Sequence, residues 1–199
     1  MKTDRKLSDE AYQRLPRHQC RYILVSRLEL ECGAVGAFVA ISRIMTISKA
    51  TPGEGADWRN HLIDSSAGIR QILESTRRIA VLGIKDGVGK PAFFVPEYAQ
   101  RAGYEIVPVP VYYPDVTEML GAPVYRTLSA IPGDIDMVNV FRRPQDIPPH
   151  VEDIVAKRPK AVWFQSGIVN HEAAERFARA GIDVVQNRCL MVELGRIGR

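Results

Sequence analysis

A chain of 199 residues, 46% hydrophobic and 25% charged, has the make-up of a soluble globular protein and length for one well-buried domain with an appendage. Its longest apolar stretch, residues 33–41, falls far short of the roughly 20 residues of a membrane span and lies too deep in the chain for a secretory signal. Of the formal net charge of +4, residues 1–44 supply +3 (eight Lys/Arg against five Asp/Glu), so the remainder is close to neutral and offers no basic groove for nucleic acid.

Residues 1–60 have mixed charge and no sustained period, and Thr51, Pro52, Gly53 and Gly55 read as loop. They are predicted to form a poorly ordered N-terminal extension, followed by one domain over 61–199. Met45 offers an alternative start, so residues 1–44 are expected to be either extension or upstream translation; a small packed helical appendage is the alternative. Cys20, Cys32 and Cys189 make no C-x-x-C pair and cannot all be bridged. That pattern predicts neither a zinc site nor a disulfide framework, and a reducing cytoplasmic setting.

From residue 64 the pattern is regular. Asp64 and Ser65 can cap a helix carrying Ile69, Ile72 and Leu73, with the basic pair Arg77 and Arg78 at its C-terminal end. The run "IAVLG" at 79–83 reads as a buried strand. A helix from Pro91 to Ala102 follows, stopped by Gly103 and kinked at Pro96, and then the strand "YEIVPVP" at 104–110. Residues 111–134 should be mostly loop with one or two helical turns. Strands are predicted at 135–141, 160–165 and 182–187, alternating with helices through "PPHVEDIVAKR" and 170–181, and a short helix closes the chain. This rhythm predicts an α/β, Rossmann-like, doubly wound and mainly parallel sheet with helices on both faces. Ligands in such folds sit beyond the carboxyl ends of the strands, which directs attention to 83–91, 109–115, 141–144, 165–170 and 187–190.

The loop "GIKDGVGKPA" at 83–92 resembles two nucleotide motifs and fits neither. As a Walker A loop it has one residue too many between Gly83 and Gly89, and Pro91 stands where a magnesium-binding hydroxyl is required. As a dinucleotide fingerprint it matches G-x-G-x-x-A, but the second strand ends in Val109 and Pro110 where an acid should hold the ribose. What both readings share is a phosphate or pyrophosphate site: a strand ending at Gly83, a loop with Lys85 and Lys90, and a helix opening at Pro91, whose missing N–H costs nothing there. Val109 and Pro110 offer an apolar surface for an adenine. A plain strand-to-helix turn with surface lysines is the alternative.

Later strand ends carry other candidates. Arg142 and Arg143 suit bidentate phosphate contact, or a salt bridge to a neighbouring carboxylate. At 165–167, Gly167 would let a ligand approach the backbone, whereas Gln165 could simply cap a turn. Cys189 reads as a small buried thiol before a reactive one, and His171 as solvated before catalytic. No Ser-His-Asp arrangement or metal-ligand spacing is visible.

The runs "IAVLGI", "GYEIVPV", "LGAPVYRTLSAIPGDIDMVNVFRRPQDIP" and "AVWFQSGIVNHEAAERFARAGIDVVQNRCLMVEL" lie in order across 79–194. Through them the chain resembles the small CoA-binding proteins, similar to the N-terminal CoA-binding domain of the succinyl-CoA synthetase alpha subunit. The resemblance implies a Rossmann-like fold with the CoA pyrophosphate on the first strand–helix loop. It implies phosphate contacts at Gly83, Ile84, Lys85 and Lys90, and adenine or ribose contacts at Val109 and Pro110. Phe141, Arg142, Arg143, Gln165, Ser166 and Gly167 should border the groove. The family's first loop is often serine-rich, whereas this one reads "KDGVGK" and places Asp86 beside the expected phosphate. A complete acyl-CoA ligase would need further domains. The expected function is therefore a non-catalytic module binding CoA or a CoA thioester, alone, as a homo-oligomer or with a partner subunit, and without nucleic acid or membrane. An NAD(P)-binding redox protein or sensor and a nucleotide-free interaction subunit are the alternatives.

Overall fold

In a computed structural model of the chain, residues 57–87 and 89–199 are described. The remainder of the expected extension lies outside them, but its last residues, from Asp57, are folded onto the domain. A 3-10 helix at Trp58–His61 is capped by the Asp57 side chain. Trp58 stacks under Arg179 at 4.9 Å, and His61 Nδ1 pairs with Asp183 Oδ1 at 2.7 Å.

The elements that follow are α1 (Ser66–Ser75), β1 (Arg78–Leu82), α2 (Pro91–Arg101) and β2 (Glu105–Val109), then the short β3 (Glu118–Met119) and β4 (Ala122–Pro123). After them come β5 (Met137–Val140), α3 (Val151–Lys157), β6 (Ala161–Phe164), α4 (His171–Arg179), β7 (Asp183–Val185) and α5 (Leu190–Arg196). Local chemistry sets many of the ends. Ser65 Oγ accepts from the Gly68 amide to start α1, and Asn170 Oδ1 accepts from Ala173 to start α4. Helix α1 stops earlier than its basic pair suggested. Arg77 does bond the Glu74 carbonyl at 2.8 Å, but Arg78 already belongs to β1, where it reaches Glu105 at 2.7 Å. Helix α2 continues through Pro96 to Arg101, and Gly103 follows with φ +94°.

Five parallel strands form one sheet in the order β2-β1-β5-β6-β7. Alternating side chains bury both faces. Ala80, Leu82, Val138, Val140, Val162 and Phe164 pack toward α3 and α4. Ile79, Val81, Met137 and Trp163 pack toward α1, α2 and α5. The strand order reverses at β1, whose neighbours are β2 on one side and β5 on the other. Such a reversal opens a crevice at the carboxyl ends of the two flanking strands. Register makes that rim level: Leu82 lies opposite both Val109 and Val140, and Val140 lies opposite Phe164.

The connection from β2 to β5 departs from expectation. Its first part holds an antiparallel hairpin, β3–β4, instead of helical turns. Leu120 and Gly121 join the strands with φ +53° and +72°, the pair of positive values a tight type I′ turn needs. The Tyr125 amide then bonds Pro108 O at 3.0 Å along β2, and at the other edge the Ile63 amide bonds Val184 O at 2.8 Å beside β7. Both edge strands thus have part of their outer hydrogen-bonding row occupied. No helix among the described residues is long and apolar enough to cross a membrane.

Candidate functional site

A groove of about 490 Å³ lies over the carboxyl ends of β1, β5 and β6, within the size range of small-molecule sites, roughly 300–1,000 Å³. Its near wall is the loop after β1 and the start of α2: Lys85, Lys90, Pro91 and Ala92. Its far wall is Phe141 to Pro144 after β5, and Gly167 and Ile168 close it after β6. Four of these side chains are cationic, Lys85, Lys90, Arg142 and Arg143, and no carboxylate lines the groove.

Gly83 is what lets the two walls meet. Its φ is +84°, and a Cβ there would stand 2.7 Å from the Phe141 carbonyl oxygen and 3.0 Å from Arg142 Cδ. Its amide bonds Val109 O at 2.8 Å, so one glycine joins the ends of β1, β2 and β5. Ile84 is fully buried on the α1/α2/α5 face and can offer a ligand only its backbone. Asp86 is exposed and its carbonyl accepts from Lys90 Nζ at 2.9 Å, which arches the loop.

The helix entrance is more self-satisfied than its sequence suggested. The Phe93 and Phe94 amides both turn to Lys90 O, at 2.8 and 3.1 Å, and Lys85 N bonds Ala92 O at 3.3 Å. Among the described residues, the amides of Ile84, Asp86, Gly87, Gly89 and Ala92 find no acceptor. The groove thus has free loop amides beside its ammonium and guanidinium groups.

The other sequence-predicted residues divide. Arg142 and Arg143 meet the loop lysines across the groove, and Phe141 and Gly167 line it. Gly167 has φ +78°, its amide held by Asn187 Oδ1 at 2.8 Å, while Ser166 is exposed outside the lining. Val109 and Pro110 are buried, Val109 in the core beside Leu82 and Val140, and neither presents a surface to the groove. Gln165 is only 4% exposed. Its Nε2 donates to Asn139 Oδ1 at 2.8 Å and its Oε1 accepts from the Leu190 amide at 3.3 Å, which ties β6 to β5 and to the start of α5.

Two residues at the rim escaped the sequence reading. Asp146 accepts from Arg143 Nε at 2.7 Å and lies 3.7 Å from Arg142 Nη2. The Arg143 hydrogen bond holds its carboxyl below the usual carboxylate range, against the opposing effect of burial. Tyr112, just past β2 and half exposed, has Arg142 Cζ 5.6 Å and Lys85 Nζ 6.0 Å from its ring centroid. A hydrogen bond from Arg142, and then its charge, lower the Tyr112 hydroxyl below the ordinary phenol value. The signal available in sequence was an aromatic pair directly after a strand. Nearby, burial first and then the Arg142 charge push His150 below the usual imidazole value. No group of three His, Cys, Asp or Glu side chains converges as a metal-ligand set among the described residues.

Comparison with known proteins gives a consistent set of relatives. Residues 77–195, more than half of the chain, match the model of a family described as CoA binding domain. The uncharacterized protein YneT of Bacillus subtilis is 38% identical over 128 residues, covering 64% of this chain and 93% of that protein. Among solved structures, the Thermus thermophilus protein called cell-free ID.343 is 35% identical with a TM-score of 0.63, over 67% of this chain and 99% of the other. A hypothetical protein from Pyrococcus horikoshii is 34% identical with a TM-score of 0.62, over 67% and 92% of the two chains.

Proposed function

This chain belongs to the CoA binding domain family, and from that premise we propose that it binds CoA or a CoA thioester as a module without a reaction of its own. The observation that carries the reading is the convergence of Lys85, Lys90, Arg142 and Arg143 on one groove that no carboxylate lines. CoA bears a diphosphate and a separate phosphomonoester, so its charge is distributed, and a groove with cations on two facing walls complements it. The diphosphate lies by the β1–α2 loop, where Lys85 and Lys90 reach it and Gly83 permits close approach of the backbone. The apolar members of the wall, Pro91, Ala92, Phe141 and Ile168, suit the pantetheine arm. The cytoplasm, where CoA and free thiols coexist, is the proposed setting.

Calorimetric titration with CoA and with NAD tests this directly. CoA should bind and NAD should not; binding of NAD alone overturns the proposal in favour of a redox or sensor role, and binding of neither favours a scaffold. Freshly purified protein should also carry absorbance near 260 nm that mass spectrometry assigns to CoA. A Lys85→Ala, Lys90→Ala double variant should lose on the order of 1–3 kcal/mol of CoA affinity, the usual size of charge-assisted contacts. Unchanged affinity would move the diphosphate away from this loop.

A further inference from the structure

The connection from β2 to β3 holds a backbone conformation that its residues do not favour. Tyr113 has φ +66°, in the left-handed region that a bulky side chain rarely enters, and it stands before Pro114, where a residue is normally extended. Such a conformation persists where its surroundings impose it. Two contacts do so here. The Tyr113 side chain is partly buried against the core on the α1/α2/α5 face. Arg126, arriving after β4, gives its guanidinium to the loop. Nη1 donates to Tyr113 O at 3.1 Å, and Nη2 donates to Pro114 O at 2.8 Å and to Val116 O at 2.5 Å. A planar fork fixes the relative placement of the carbonyls it bonds, which a rotating ammonium does not. Arg126 is itself anchored, because the preceding Tyr125 amide bonds Pro108 O along β2.

With Tyr113 packed inward, its neighbour Tyr112 is left half exposed. Its ring is shared by cations from two other loops, Lys85 Nζ at 6.0 Å and Arg142 Cζ at 5.6 Å from the centroid. Lys85 and Arg142 belong to facing walls of the groove and repel each other. An aromatic ring within reach of both attracts both, which offsets the repulsion and sets how far apart the walls stand.

We propose that Arg126 is a positioning residue for the groove: it locks the β2–β3 loop in its left-handed turn, so that Tyr112 braces Lys85 and Arg142 at a fixed separation. Arg126 does not line the groove and acts through Tyr112. This rests on the reading of the groove as the CoA site, and it adds the device that shapes the groove before a ligand arrives.

The test is calorimetric titration of the full chain with CoA, arranged as a double-mutant cycle. Arg126 is exposed, so its substitution leaves the core intact. Arg126→Met should weaken CoA binding by about three- to tenfold. Arg126→Lys should weaken it nearly as much, because charge without the fork does not hold the turn. In a Tyr112→Ala background, Arg126→Met should change affinity by less than about twofold. Full affinity in either Arg126 variant, or equal losses in both backgrounds, would overturn the brace. A second readout needs no ligand. A hydrogen bond from Arg142, and then its charge, lower the Tyr112 hydroxyl below the ordinary phenol value, and the tyrosinate absorbance of the parent minus that of Tyr112→Phe isolates this group. Arg126→Met should move its ionisation to higher pH as the ring leaves Arg142; an unmoved ionisation overturns the brace. If the ionisation moves but the parent protein binds no CoA, the CoA reading fails and the brace stands.

Discussion

Among the described glycines, Gly83 combines a positive φ with the closest backbone contact. Any other residue there meets two penalties: a left-handed backbone, costing roughly 1–2 kcal/mol, and a Cβ 2.7 Å from a backbone oxygen that cannot swing away. Gly83→Ala should therefore lower unfolding free energy by at least about 2 kcal/mol in urea titrations and weaken CoA binding, because the β1 and β5 loops must part. Gln165 illustrates a different demand. Its amide donates to Asn139 Oδ1 and accepts from the Leu190 amide in a site nearly closed to water. Gln165→Leu is expected to cost about 1–3 kcal/mol of stability through the polar groups left unpaired. CoA affinity should hold to within a few-fold, since the side chain lies beneath the groove floor; a selective loss of affinity with unchanged stability would return Gln165 to the ligand site.

At the scale of elements, the sheet is pinned at the ends away from the groove. Asp136 precedes β5, and its Oδ2 accepts from the amides of Arg77 and Arg78, at 2.9 and 3.0 Å, as β1 begins. Its Oδ1 pairs with Lys160 at 2.7 Å, just before β6. One carboxylate thus sets the relative starts of three strands, and with them the level rim on which the groove depends. Burial alone would raise the Asp136 pKa, but the Lys160 contact and the Arg78 and Arg77 amides together lower it. A carboxyl with a depressed folded pKa contributes stability above its unfolded value of about 3.9 and loses that contribution as pH falls toward the folded value. Asp136→Asn should be less stable than the parent near neutral pH, and the gap should shrink as denaturation is repeated below about pH 4. A gap independent of pH would assign the effect to packing instead of charge.

Outside residues 1–44 the chain is nearly neutral, yet it gathers four cations at the groove. Of the net +4, residues 1–44 account for +3, so the rest is nearly neutral while its groove holds four cations and no lining carboxylate. Binding of a polyanion there should depend strongly on ionic strength, because the Debye length shrinks from about 10 Å at 0.1 M salt to about 3 Å at 1 M. CoA affinity is expected to fall several-fold between roughly 0.05 and 0.5 M sodium chloride. Affinity insensitive to salt would mean that apolar contacts along Phe141 and Ile168 dominate.

The amino-acid sequence determined the elements, because each depends on near neighbours. Short apolar runs marked the main strands and helical apolar spacing the helices, Ser65 and Asn170 marked two helix starts, and the lysines of the 83–91 loop stood in the open between a strand and a helix. Lys85, Lys90, Arg142 and Arg143 all stand in segments directly after strands, and the fold brings them to one groove. Tertiary structure alone decided which strand ends are neighbours, how level they are, and which way a side chain at a strand end turns. That is why Val109, Pro110 and Gln165 look like ligand contacts in the chain and are buried in the fold, and why nothing in the chain singles out Tyr112 and Asp146. It is also why Leu120-Gly121, which lacks the usual asparagine or aspartate of a type I′ turn, gives no hairpin signal in the chain. Strand order and register are set by packing between residues distant in sequence, and a groove built at the reversal of that order exists only once the sheet does.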